Sequence, residues 1–195
     1  MKTLITLLAF FVSTMCLQAQ DALPYREIPP YPENYTAANV AARVVDGLGF
    51  RYYWATEGLR PEDLSYQPNK DGRTALETIT HIYELTNTLI NATTKVPNVS
   101  NSNPPVLRFE EMRRKTLSNI KSASDILKRT SDQELNEFKI IFKNDKGTTE
   151  FPFWNELNGP IADAIWHTGQ VVSFRRGSGN PFNSKVSVLT GKVRE

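Results

Sequence analysis

Apolar side chains return at three- and four-residue steps in four separate stretches of the chain, and that period commits most of it to helices packed on one another. Ala41, Val45, Leu48, Tyr52, Ala55 and Leu59 mark the first, expected from about Thr36 to Leu59. Leu76, Ile79, Tyr83, Thr86 and Ile90 mark the second. It should open on a capping box, Thr74 with Glu77 three residues on, and end near Thr94. Phe109, Met112, Thr116, Ile120, Ala123 and Leu127 mark the third, whose outer face is basic through Arg113, Arg114, Lys115, Lys121 and Lys128. The fourth runs from about Trp154 to Arg176, interrupted by Gly159-Pro160, where the proline must kink the helix or reset its start. It should stop at Gly177-Ser178-Gly179-Asn180-Pro181.

Turn formers cluster between these stretches, so residues 60–73 and 95–107 read as loops. After helix three the period becomes alternating in Phe138-Lys139-Ile140 and Ile141-Phe142-Lys143, then breaks at Asn144-Asp145-Lys146-Gly147 before Thr149-Glu150-Phe151. That pattern is a short β-hairpin. Gly47 and Gly49 each weaken helix one by about 1 kcal/mol relative to alanine, so a close helix contact is expected at that level. A chain of 195 residues can bury a full core in one domain. The expected fold is all-α: a four-helix bundle over residues 36–195 with a short β-hairpin insert between helices three and four.

The first twenty residues differ from the rest. Lys2 gives a positive start, Leu4 to Val12 is an apolar run, and Leu17-Gln18-Ala19-Gln20 offers small or polar cleavage positions. This reads as a secretory signal peptide cut near residue 20, so the mature protein is expected to be soluble and exported, periplasmic or extracellular. The run is far shorter than the roughly 20 residues of a membrane-spanning helix. Cys16, the only cysteine, falls inside this leader, which leaves the mature chain without a thiol or disulfide. A lipid anchor at Cys16 is disfavoured by Met15, which stands where such motifs want a small residue. Pro24, Pro29, Pro30 and Pro32 make residues 21–35 an extended lead-in that cannot be helical. The whole chain carries 23 basic and 21 acidic residues with no basic stripe suited to phosphates, which argues against a nucleic-acid partner.

Asp163, His167, Gln170 and Phe174 fall at steps of four, three and four on helix four and share one stripe. A carboxylate and an imidazole four residues apart can converge on one cation, and a third ligand must then come from another helix. His81, in the middle of helix two, is the only other histidine. Two imidazoles and a carboxylate suit zinc, nickel, iron or manganese without choosing among them. On spacing alone an Asp-His pair is more often a surface ion pair or a cap, and a lone histidine more often a hydrogen-bonded, half-buried side chain.

Ala164-Ile165-Trp166-His167-Thr168-Gly169-Gln170-Val171-Val172, followed by Arg175-Arg176 and Gly179-Asn180-Pro181, resembles the last bundle helix of the DinB/YfiT-like family, with its His-x-Gly-Gln pattern. The Arg73 to His81 run, Arg-Thr-x-x-Glu-x-x-x-His after a Pro-x-x-x-Gly loop, resembles that family's second helix. The resemblance covers roughly residues 36 to 192. It implies a four-helix bundle and a divalent metal ion held by His81, His167 and Asp163, the last at a position where most members have histidine. Gln170, one turn beyond His167 on the same stripe, is then a candidate either to support that histidine from behind or to contact a substrate, with Glu84, three residues after His81, a weaker candidate. Family members include metal-dependent transferases that join thiols to small electrophiles. The expected function is therefore a metal-binding protein, either a transferase or hydrolase acting on a small molecule outside the cytoplasm, or a non-catalytic exported binding module. A third reading is a surface role through partner proteins, such as the homodimer on bundle faces that family members often form.

Overall fold

The computed structural model describes residues 22–101, 103 and 105–195. The expected signal peptide and Cys16 lie outside them. Four long helices dominate: α1 (Ala37–Thr56), α3 (Ala75–Thr94), α4 (Phe109–Leu127) and α7 (Ala162–Gly177). Three short ones stand between them: α2 (Pro61–Leu64), α5 (Asp132–Leu135) and α6 (Trp154–Glu156). The long helices form a ring in which α1 and α3 each pack against both α4 and α7. Its interior is filled by Leu48, Phe50, Tyr52, Ile79, Ile82, Leu89, Leu117, Ile120, Leu127 and Ile161, all essentially sealed from solvent. Burying each such aliphatic side chain contributes about 1.5–3 kcal/mol, which no helix could gain alone. None of the described helices is long and apolar enough to cross a membrane.

Local sequence fixes where these helices begin and end. The Thr74 hydroxyl accepts from the Glu77 amide at 3.1 Å while the Glu77 carboxylate accepts from the Thr74 amide at 2.8 Å, the expected capping box. Helix α1 opens on Thr36, whose hydroxyl accepts from Asn39 N, and ends at Thr56, three residues before the expected Leu59. Glu57 is already extended there and Gly58 takes a φ of +68°, a turn that glycine enters without strain.

The expected hairpin is present as β2 (Lys139–Asn144) and β3 (Gly147–Pro152), antiparallel with Asn144 opposite Gly147. It gains a third strand: β1 (Asn98–Val99), inside the segment expected to be loop, pairs parallel with β2 through Asn98 opposite Phe142. Two residues carry no alternation that could announce a strand. A second ribbon, β4 (Val186–Ser187) with β5 (Lys192–Val193), closes the C-terminal tail. Helix four takes the second of its two expected forms, a start reset after Pro160, through a turn the sequence did not announce: α6 passes into a π-helical turn, Leu157–Ile161, and only then into α7. Pro160 lacks an amide proton, and the wider turn absorbs the missing hydrogen bond.

The lead-in is tied down along its length. The Tyr25 hydroxyl donates to Asp46 Oδ1 at 3.0 Å, Trp54 Nε1 donates to the Arg26 carbonyl at 3.1 Å, and Ile28 N donates to the Gly191 carbonyl at 2.9 Å. This corrects the expectation for the two glycines of α1. A Cβ on Gly49 would stand 2.5 Å from the Tyr25 ring, so the close contact is with the lead-in and not with another helix. A Cβ on Gly47 would meet only the Arg51 side chain.

Candidate metal centre

His81 projects from the second turn of α3 and Asp163 and His167 from the first two turns of α7, where these two helices pack together. Helix α7 sorts its side chains by stripe. Ile161, Ala164, Thr168, Val171 and Arg175 face the interior, while Ala162, Trp166, Gly169, Ser173 and Arg176 face solvent. Asp163, His167, Gln170 and Phe174 run between those two, half-buried, along the edge that meets α3.

The three residues expected to bind metal are brought together. Asp163 Oδ2 lies 3.2 Å from His81 Nε2, and Asp163 Oδ1 lies 3.3 Å from His167 Nε2. The imidazole rings stand edge to face with centroids 4.8 Å apart. One ligand atom from each residue falls within 4.8 Å of the others. Donors on a tetrahedral ion with bonds of about 2.1 Å would be about 3.4 Å apart, so the group needs only small side-chain rotations to take one. Their side chains are 27%, 38% and 15% exposed for His81, Asp163 and His167, open enough for exchange with solvent.

The outer nitrogen of His167 is held by a hydrogen bond, while that of His81 has only a carboxylate nearby. His167 Nδ1 donates to Gln170 Oε1 at 2.7 Å, and His81 Nδ1 faces Glu84 Oε2 at 3.7 Å. With Nδ1 donating to Gln170, His167 turns its Nε2 toward Asp163 Oδ1, the side on which a cation would be held. Orienting one ring nitrogen by an amide or carboxylate so that the other points at a metal is the usual arrangement around ligating histidines. Of the two roles expected for Gln170, behind a metal ligand or against a substrate, the bond to His167 matches the first, and Glu84 lies on the same side of His81. Among the described residues no lysine or arginine forms an ion pair with Asp163, which leaves its charge available to an ion.

Two buried acidic residues carried no sequence signal. Glu156 is fully buried with neither carboxylate oxygen hydrogen-bonded, and burial pushes its carboxyl up to about 8. Asp63 is equally buried but richly bonded, to the Arg60 side chain and to Ser178 and Asn180. The Arg60 guanidinium, helped by Ser178 and Asn180, holds its carboxyl well below the usual carboxylate range. Four of the five basic residues expected on the outer face of helix three are ion-paired, Arg113 with Glu57, Lys115 with Glu111, Lys121 with Asp125 and Lys128 with Asp46. No family model, curated protein or solved structure matches this chain.

Proposed function

We propose that this chain is a metal-binding protein of the DinB/YfiT-like kind, a four-helix bundle in which His81, Asp163 and His167 hold a divalent ion. The carrying observation is that both Nε2 atoms converge on Asp163 while His167 Nδ1 is fixed from behind by Gln170. With three protein ligands, a bound ion would keep open positions that polarise a thiol or water and favour its deprotonated form at neutral pH. Asp163 supplies a hard oxygen and one negative charge, His81 and His167 supply neutral nitrogen donors, and Gln170 fixes the tautomer of His167. The activity this supports is a metal-dependent transferase or hydrolase acting on a small molecule after export behind the leader of residues 1–20.

The alternative is a non-catalytic exported binding module, favoured by Asp163 standing where the resemblance leads one to expect a histidine. Metal analysis of tag-free protein tests the shared premise. Near-stoichiometric divalent metal, lost in His167→Ala and His81→Ala variants that still fold, is expected. Metal-free wild-type protein that takes up neither zinc, nickel, iron nor manganese would defeat the assignment. Metal present without turnover of thiol or ester substrates would favour the binding module.

A further inference from the structure

Val40, Val44, Gly47 and Arg51 fall at steps of four, three and four on α1 and make one stripe along its outer face. Two open cavities of about 710 and 730 Å³ lie along this stripe and share Tyr35, Val40 and Val44. Tyr31 of the lead-in and Ile165 of α7 flank one end, while Leu157 and Trp154 flank the other. Exposed large apolar side chains gather here: Tyr31, Tyr35, Val40, Val44 and Trp154 are 42–100% exposed. A contiguous apolar surface of this kind marks a place where something binds. From Val40 to Arg51 the helix rises about 16 Å, the length of a medium-chain acyl group laid out straight.

Arg51 closes one end. Its Nη1 donates to the Gly47 carbonyl at 3.0 Å, and the glycine makes room for this, because a Cβ there would stand 3.1 Å from that nitrogen. The guanidinium is thereby laid along the groove floor with its other N–H groups free, and among the described residues it makes no ion pair. Arg43 plays a different part. It donates to the Pro29 carbonyl at 2.8 Å and stacks over the Tyr31 ring, which holds the lead-in as a wall. Glu33 is the one acidic residue lining this end, and at the far end Asp132 accepts from Ala38 N.

We propose that the groove binds a medium-chain aliphatic carboxylate, its chain along Val40 and Val44 toward Trp154 and its carboxylate on Arg51. An apolar channel with one placed cation is how such sites combine affinity with orientation, and a guanidinium matches a carboxylate with two parallel hydrogen bonds. The site is separate from the metal centre, since Ile165 lies on the flank of α7 opposite His167.

Dodecanoate titrated below its micelle concentration into the purified protein tests this by calorimetry and by tryptophan emission, with Trp154→Phe, which keeps Trp54 and Trp166, as the control that should lose the emission change. Saturable one-to-one binding is expected, at least about tenfold weaker in Arg51→Gln and for dodecylammonium, and abolished in Val44→Asp. Val44 is exposed enough that its variant should melt with the wild type, and Gly47→Ala, which lifts the Arg51 side chain, should weaken binding in a second, independent way. Equal binding of dodecylammonium and dodecanoate, or an Arg51→Gln variant that binds unchanged, would overturn the proposal. So would the absence of saturable binding, or a dimer dissociated by Val44→Asp that takes up no dodecanoate. Metal content is expected to be the same in all of these variants, so the two proposals stand or fall separately.

Discussion

Asp163 gives one oxygen to each histidine, and that division makes it the residue on which the metal centre turns. Asp163→Asn keeps the shape and removes the charge, so affinity for manganese, which depends on hard anionic oxygen, should fall further than affinity for zinc or nickel. Asp163→His should shift preference toward zinc and nickel, and competition with a chromophoric chelator measures both. Gln170 is predicted to act through His167 alone. Gln170→Leu should lower metal affinity about 10–100-fold with no change in fold, and an unchanged affinity would show that the 2.7 Å bond does not orient the ring. These residues were legible in the sequence as a stripe with a distant histidine, but spacing could not say that Asp163 would face both rings. That depends on how α3 packs against α7, and periodicity reports a helix's apolar face without its partner.

At the scale of elements, legibility followed local chemistry. Helix α3 was readable because Thr74 and Glu77 satisfy each other's amides within four residues, and the hairpin because Asn144-Asp145-Lys146-Gly147 is a turn by composition. The start of α7 was legible only as a break at Pro160, because Glu156 reads as a surface residue and the π-helical form of the turn arises from the packing around that proline. The same is true of the lead-in, whose prolines forbid a helix without saying what it touches. Its anchor is Tyr25, held at a positive φ of 73° with its ring against Gly49 and its hydroxyl on Asp46. Asp46 also accepts from Ser124 at 2.6 Å and pairs with Lys128 at 2.7 Å, so one buried carboxylate joins lead-in, α1 and α4. Gly49→Ala should displace the Tyr25 ring and destabilise the protein by about 1–3 kcal/mol in urea denaturation. Limited proteolysis should then cut residues 22–35 first, and a variant that melts with the wild type and resists cleavage would refute the anchor.

Across the whole molecule, Asp63 and Glu156 set opposite slopes in stability against pH. Asp63 joins the short helix α2 to the end of α7, where Arg175 also donates to the Trp54 and Ala55 carbonyls of α1. Its folded carboxyl is held below the unfolded value, so between the two the unfolded chain binds more protons. That contribution is present above the ordinary carboxylate range and is lost as pH falls through it. Glu156 has the reverse sign. Its carboxyl is pushed up to about 8 by burial alone, so the native state keeps a proton that the unfolded chain releases at ordinary carboxylate pH. The stability that goes with this proton is full in acid and declines as pH rises toward 8, at no more than about 1.4 kcal/mol per pH unit. The two slopes together place the stability maximum in mildly acid solution, below neutrality. Urea midpoints from pH 4 to pH 9 should therefore fall across the neutral range in the wild type and level off in Glu156→Gln, which cannot ionise. Asp63→Asn should lose stability near neutrality and lose its acid dependence with it. A wild-type profile flat between pH 5 and pH 8 would mean that Glu156 finds a partner or water in solution, and that the bend before α7 is not strained by a buried charge.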